Sequence, residues 1–338
     1  MRLIFFRTGA IGDIIHVLPA LKYIKKENPS YRIDLVIKTK PLLEVFSNYV
    51  SFIDNVYNVE KKIFSNSELM DSLAEEPCDE FIYLHSNWWK GWYFNYKYFK
   101  AGKFKAYKKD LDLSSRENFL TAYDSNLKAA LQDKSLVLDS HCLVAKQGRK
   151  LGQEPSNKET FTKKKYIEIV PGVGKLRPQR AYPLKEWMIL IKKFIAETDY
   201  DLKILGGPDE IEISLNLSLE LKLRSKENTR IENLIGKLSL LETTDVLAGA
   251  EAVYSADTGL LHIASALDKV TYSTYTVTSE FRTGPYSAKA EVFRSSFCKC
   301  ADLKNFNDNK TKCKYLGLSG LPRCVDDLKY PVLTASKD

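Results

Sequence analysis

Apolar positions along this chain alternate between two patterns. Short, nearly unbroken runs such as Arg2–Phe6 (RLIFF) and Tyr166–Val170 (YIEIV) read as strands buried on both faces. One-sided stripes at helical spacing separate them. The clearest, Leu184–Ala196, sets Leu184, Trp187, Met188, Ile191, Phe194 and Ile195 on one side. In the first half the pattern predicts strands at Arg2–Phe6, Arg32–Ile37, Ile53–Val59 and Glu80–Leu84. Helices are predicted through Ile14, Ile15, Leu18, Leu21 and Ile24, and over Pro41–Asn48, Ser65–Leu73 and Glu117–Leu131. The second half repeats the alternation, with strands at Tyr166–Val170, Leu202–Leu205, Glu251–Ser255 and Val270–Tyr275, and with Arg230–Leu234 and Gly236 ahead of a short helix. Between those strands fall Leu184–Ala196, a helix opened by Glu210, Ser239–Ala248, and a helix from Leu260 onward. Strand and helix in regular succession predict parallel sheets covered on both faces. Two such series predict two doubly wound, Rossmann-like α/β domains facing a central cleft. The polar, aperiodic stretch Lys146–Lys165 is the expected joint, giving domains 1–155 and 156–338.

The chemistry is expected where strands run into helices, because open α/β sheets place ligands at the C-terminal ends of their strands. The first such junction is Arg7-Thr8-Gly9-Ala10-Ile11-Gly12-Asp13. Its glycines are spaced G-x-x-G rather than G-x-G-x-x-G, so a dinucleotide fold loses support. Asp13 is either a helix N-cap or a carboxylate at the ligand edge, and the two roles are compatible. His85, Ser86 and Asn87 follow the fourth strand and are expected at the same edge. In the second half, Asp257-Thr258-Gly259 joins a strand to a helix. Unpartnered amides and the helix dipole make such a start an anion site. The alternative is that Asp257 or Thr258 merely caps a core helix. Glu210, at the Gly206-Gly207-Pro208-Asp209 turn, either favours the dipole of the next helix or accepts hydrogen bonds from a ribose.

Composition narrows the partners. The formal net charge of +8 over 338 residues favours polyanions: nucleic acid, an acidic membrane face, or phosphorylated substrates. No apolar stretch approaches the roughly 20 residues of a spanning helix. MRLIFF lacks the length and cleavage pattern of a signal peptide. A cytosolic protein is expected, in which six cysteines are not a disulfide framework. Cys298, Cys300, Cys313 and Cys324 lack paired C-x2-C knuckles, so structural zinc and reduced thiols both remain open. Trp88 to Tyr107 holds ten aromatics, and Lys90 to Lys109 seven lysines without an acid. This stretch fits an amphipathic helix and strand with solvated lysines. It also fits a membrane-facing surface, where each lysine is worth about 1 kcal/mol, or a single-stranded nucleic-acid groove.

With these residues in place, the chain resembles glycosyltransferase family 9, the ADP-heptose:lipopolysaccharide heptosyltransferases. The likeness rests on RTGAIGDIIHVLPAL at 7–21, LGGPDE at 205–210, LIGKLSLLETTDVLAGAEAVYSADTGLLHIASAL at 234–267 and RTGPY at 282–286. It implies the GT-B fold and an inverting transfer of heptose from ADP-heptose to a lipopolysaccharide or lipooligosaccharide core. It implies no metal and no cofactor beyond the sugar nucleotide. Asp13 would be the general base, with Gly9, Gly12, His85 and Ser86 on the acceptor side. Arg180, Thr258, Gly259 and Leu260 would hold the diphosphate and Glu210 the ribose, while Asp257 and His262 complete the signature. Arg180 replaces the usual lysine and Tyr182 the usual tryptophan, which leaves the sugar open. The expected partners are a nucleotide-sugar donor and a glycolipid acceptor, not nucleic acid. The aromatic–lysine stretch is then expected to meet the inner face of the membrane. A different sugar donor or acceptor, or a non-catalytic binder of either, are the competing readings.

Overall fold

Two wholly parallel sheets organise the protein, each within its own compact unit, Met1–Arg149 and Lys150–Asp338. The computed structural model describes residues 1–59, 67–84, 88–106, 138–147, 165–174, 180–222, 230–276, 278, 280–294 and 330. The expected domain boundary, the Glu117–Leu131 helix, His85, Ser86 and the four tail cysteines lie outside these residues.

The first unit has the strand order β3-β2-β1-β4-β5. Its strands are β1 (Arg2–Phe6), β2 (Arg32–Ile37), β3 (Asn55–Asn58), β4 (Glu80–Tyr83) and β5 (Lys103–Ala106). Its helices are α1 (Ile11–Ile15), α2 (Leu18–Glu27), α3 (Pro41–Tyr49), α4 (Ser67–Ala74) and α5 (Trp88–Phe94), the last continued by a π-helical turn, Asn95–Phe99. The single helix expected through Ile14–Ile24 is two. Pro19 sits in the first turn of α2 and has no N–H to offer the turn before it, so the chain restarts after His16 and Val17. β1 is buried along its whole length, which is why it reads as an unbroken apolar run. Its leading Arg2 is also buried, ion-paired through Nε with Asp34 at 2.8 Å.

The second unit has the order β11-β10-β9-β6-β7-β8. Its strands are β6 (Tyr166–Val170), β7 (Asp201–Ile204), β8 (Ile231–Asn233), β9 (Ala252–Ala256), β10 (Val270–Tyr275) and β11 (Ala290–Arg294). Its helices are α6 (Leu184–Glu197), α7 (Ile211–Lys222), α8 (Leu240–Gly249), α9 (Gly259–Ala266) and α10 (Glu280–Thr283). Pro208–Glu210 forms a 3-10 turn ahead of α7, so Glu210 precedes that helix rather than opening it. The stripe of α6 packs Trp187, Ile191 and Phe194 against Ile167, Ile169 and Leu202. Tyr330 enters the same core edge-on to Tyr182 and Tyr254. Its hydroxyl meets the Ser255 carbonyl at 2.5 Å and the Thr274 amide at 3.1 Å. β11 and α10 escape the sequence pattern. AEVFR is a half-buried strand at the sheet edge, where only one face demands apolar residues.

β6 holds one anomaly. Glu168 is fully buried, and neither carboxylate oxygen has a hydrogen-bond partner. Burial pushes its carboxyl well up, against the pull of the Lys203 and Lys269 ammonium groups.

Candidate active site

Each unit presents a carboxylate and an arginine beyond the C-terminal end of a central strand. In the first unit the pair is Asp13 and Arg7. Arg7 directly follows β1 and is buried; its Nη1 donates to the Leu84 carbonyl at 2.7 Å, just beyond β4. Its Nη2 reaches Asp13 Oδ1 at 3.1 Å, while the Ala10 amide donates to Asp13 Oδ2 at 2.9 Å. Asp13 thus reaches back over the start of α1, as an acid in the first turn does. Its side chain nevertheless stays 45% exposed. Gly9 makes this possible: a Cβ there would lie 2.5 Å from Asp13 Cβ and Oδ2. Gly12 lies within α1.

In the second unit the pair is Asp257 and Arg180. Asp257 follows β9 and is 3% exposed. Its Oδ2 takes Arg180 Nη1 at 2.8 Å and the Thr278 hydroxyl at 2.6 Å. His262 Nε2 stands 3.9 Å from Oδ1. The neighbouring Tyr275 phenol is pushed up by burial and then by the Asp257 carboxylate. Asp257 therefore anchors the junction and holds the Arg180 guanidinium beside it. Thr258 adopts extended backbone at the N-cap of α9 and makes no side-chain hydrogen bond to the helix. Gly259 and Leu260 are the first two helical residues, so their amides belong to the set without intrahelical acceptors.

Glu210 stands beyond β7. Its Oε1 accepts the Gly174 amide and its Oε2 the Gly207 amide, both at 2.9 Å. A Cβ on Gly172 would meet Glu210 Oε1 at 2.0 Å, so that loop closes only over glycine. Burial pushes the Glu210 carboxyl up, and the two amides pull it back. Glu210 thereby ties the loop after β6 to the turn after β7. Among the described residues no group of three His, Cys, Asp or Glu side chains is arranged to hold a metal ion.

The structure brings Arg180, Asp257, His262 and the start of α9 together, and places Asp13 with Gly9 in the other unit. Sequence reasoning assigned no role to Arg7 or Thr278. Arg7 carried a signal, since it ends a buried strand inside the Gly-rich junction. Thr278 carried none: it lies 21 residues from Asp257 and reaches it only through the pairing of β9 with β10.

The family model for glycosyltransferase family 9 (heptosyltransferase) matches residues 115–313. The lipooligosaccharide heptosyltransferase 2 of Haemophilus influenzae is 23% identical over 314 residues, 87% of this chain and 88% of its own. Among solved structures, the E. coli ADP-heptose LPS heptosyltransferase II superposes with a TM-score of 0.64 at 19% identity, covering 88% of this chain and 92% of that one. The E. coli heptosyltransferase WaaC with ADP gives 0.61 at 20% identity, covering 86% and 92%. These neighbours share the GT-B fold with the two parallel-sheet units described above.

Proposed function

Because the chain belongs to glycosyltransferase family 9, we propose that it moves a heptose from ADP-heptose to the core of a lipopolysaccharide or lipooligosaccharide. The match over residues 115–313 carries this reading, since it spans Arg180, Glu210 and the start of α9. In the proposed reaction Asp13 takes the proton of an acceptor hydroxyl as that oxygen bonds to the anomeric carbon. The bond to ADP breaks with inversion. A hydroxyl is a weak nucleophile at neutral pH, and a positioned base typically contributes about 10²–10⁴-fold. Its exposure and its anchoring by Arg7 and the Ala10 amide support Asp13 in this role.

The departing diphosphate gains charge as the bond breaks. The amides of Thr258, Gly259 and Leu260 and the Arg180 guanidinium would stabilise it without a metal ion. Glu210 would meet the ribose through lone pairs left after its two amide contacts. Gly9, Gly12, His85 and Ser86 would border the acceptor, and His262 would sit behind the phosphate site. The enzyme would work in the cytoplasm, at the inner face of the membrane that carries its acceptor. No described helix is long and apolar enough to cross a membrane.

The test is direct. Incubation with ADP-heptose and a heptose-deficient lipooligosaccharide should add one heptose mass to the acceptor, and Asp13→Asn should not. An acceptor that gains mass only from a different sugar nucleotide would move the enzyme elsewhere within the family. No gain from any donor would favour a binder.

A further inference from the structure

The crossover between β4 and β5 has an outward face that the proposed chemistry does not use. Its inward face is settled by the core: Phe94 stacks on Phe6 at 5.6 Å, and Phe99 lies 4.6 Å from Phe81. Phe94 and Phe99 are five residues apart, one more than an α-helical turn brings into line. The π-helical turn Asn95–Phe99 absorbs that extra residue and returns Phe99 to the core. The outward face is aromatic as well. Trp92 is 52% and Tyr96 67% exposed, and their rings stack on each other at 5.4 Å and 10°. Lys97 lies over the Tyr98 ring at 4.7 Å, Lys90 and Lys100 belong to the same crossover, and Lys103 at its end pairs with Glu80 at 3.4 Å. No acidic residue occurs between Trp88 and Ala106.

Exposed indole and phenol on a lysine-rich segment without acids is the composition of a surface that lies at a headgroup layer. We propose that Trp92, Tyr96 and the exposed lysines of this segment dock this protein on a bilayer of anionic phospholipids. The rings enter the interfacial layer and the ammonium groups pair with phosphates. One consideration favours a bilayer over a single-stranded nucleic acid: the proposed acceptor is itself carried in a bilayer, and this link rests on the proposed function.

Flotation with vesicles of phosphatidylethanolamine and phosphatidylglycerol tests the docking without any sugar nucleotide. Wild-type protein should float with these vesicles and not with pure phosphatidylcholine. W92S/Y96S and K97E/K100E should each lower the bound fraction at least tenfold; both change exposed side chains, and circular dichroism checks their folding. Binding of the variants equal to wild type overturns the proposal. So does equal binding of wild type to neutral vesicles, or a preference for single-stranded oligonucleotides. Transfer to acceptor dispersed in detergent should be the same in W92S/Y96S as in wild type. A wild-type protein that floats but transfers nothing would sink the proposed function and leave the docking surface standing.

Discussion

Asp13 and Asp257 make a natural comparison. Each follows a central parallel strand, each stands at a helix start, and each is paired with an arginine. The Arg7–Asp13 contact is 3.1 Å and the Arg180–Asp257 contact 2.8 Å. The difference lies in access. The Asp13 side chain is 45% exposed and that of Asp257 is 3% exposed. A carboxylate open to solvent can exchange protons with a ligand and contributes little to stability through its ion pair. A carboxylate buried with an arginine and a hydroxyl is committed to them, and removing it leaves a charge stranded. The same residue types at the same kind of junction thus leave one carboxylate open to the proposed chemistry and commit the other to its neighbours.

That contrast can be broken in four ways. Asp13→Asn keeps the shape and should lower kcat by about 10²–10⁴-fold, with donor affinity and melting temperature close to wild type. A large loss of stability instead would make Asp13 structural. Asp257→Asn should do the reverse first, costing about 3–5 kcal/mol in urea unfolding because the buried ion pair with Arg180 loses its negative charge. A stable Asp257→Asn protein would remove the scaffold reading. Gly9→Ala should push the Asp13 carboxylate aside and cost about 10²-fold in kcat, read by single-turnover kinetics. Unchanged turnover would mean that the carboxylate's position does not matter.

The fourth concerns a carboxyl with no arginine at all. Glu168→Met should stabilise the protein by about 1–3 kcal/mol at pH 7. In the wild type the folded Glu168 carboxyl holds its proton to higher pH than the unfolded one, which lets go near its ordinary value of about 4.3. The folded state therefore loses its advantage as pH rises from there toward the raised folded value. Urea midpoints against pH should show this decline in wild type and not in Glu168→Met.

Much of this was legible in the residues. The runs at Arg2–Phe6 and Tyr166–Val170 announced buried parallel strands, because both faces of such strands need apolar cover. The Asp257-Thr258-Gly259 junction announced the start of α9, because a small-residue turn between a strand and an apolar stripe has few other uses. What stayed hidden depends on distant partners. Asp257 looks the same on paper whether its carboxylate meets a ligand or Arg180 and Thr278, and only the packing of β9 beside β10 decides. Glu168 reads as an ordinary polar position in a strand until both faces of that strand are covered. The break before α2 was readable from Pro19, but the apolar spacing through Ile14 and Leu18 continues across it and masks the interruption.

Tyr330 has a consequence for how the protein is made. Its ring completes the core beneath β9, and its hydroxyl ties Ser255 to Thr274, yet it follows every other described residue of its unit. On the ribosome the nascent second unit waits for this side chain until every other described residue of the unit has been synthesised. Until then Trp187, Tyr182 and Tyr254 lack the ring that packs against all three, and apolar surface left bare in this way is what invites aggregation.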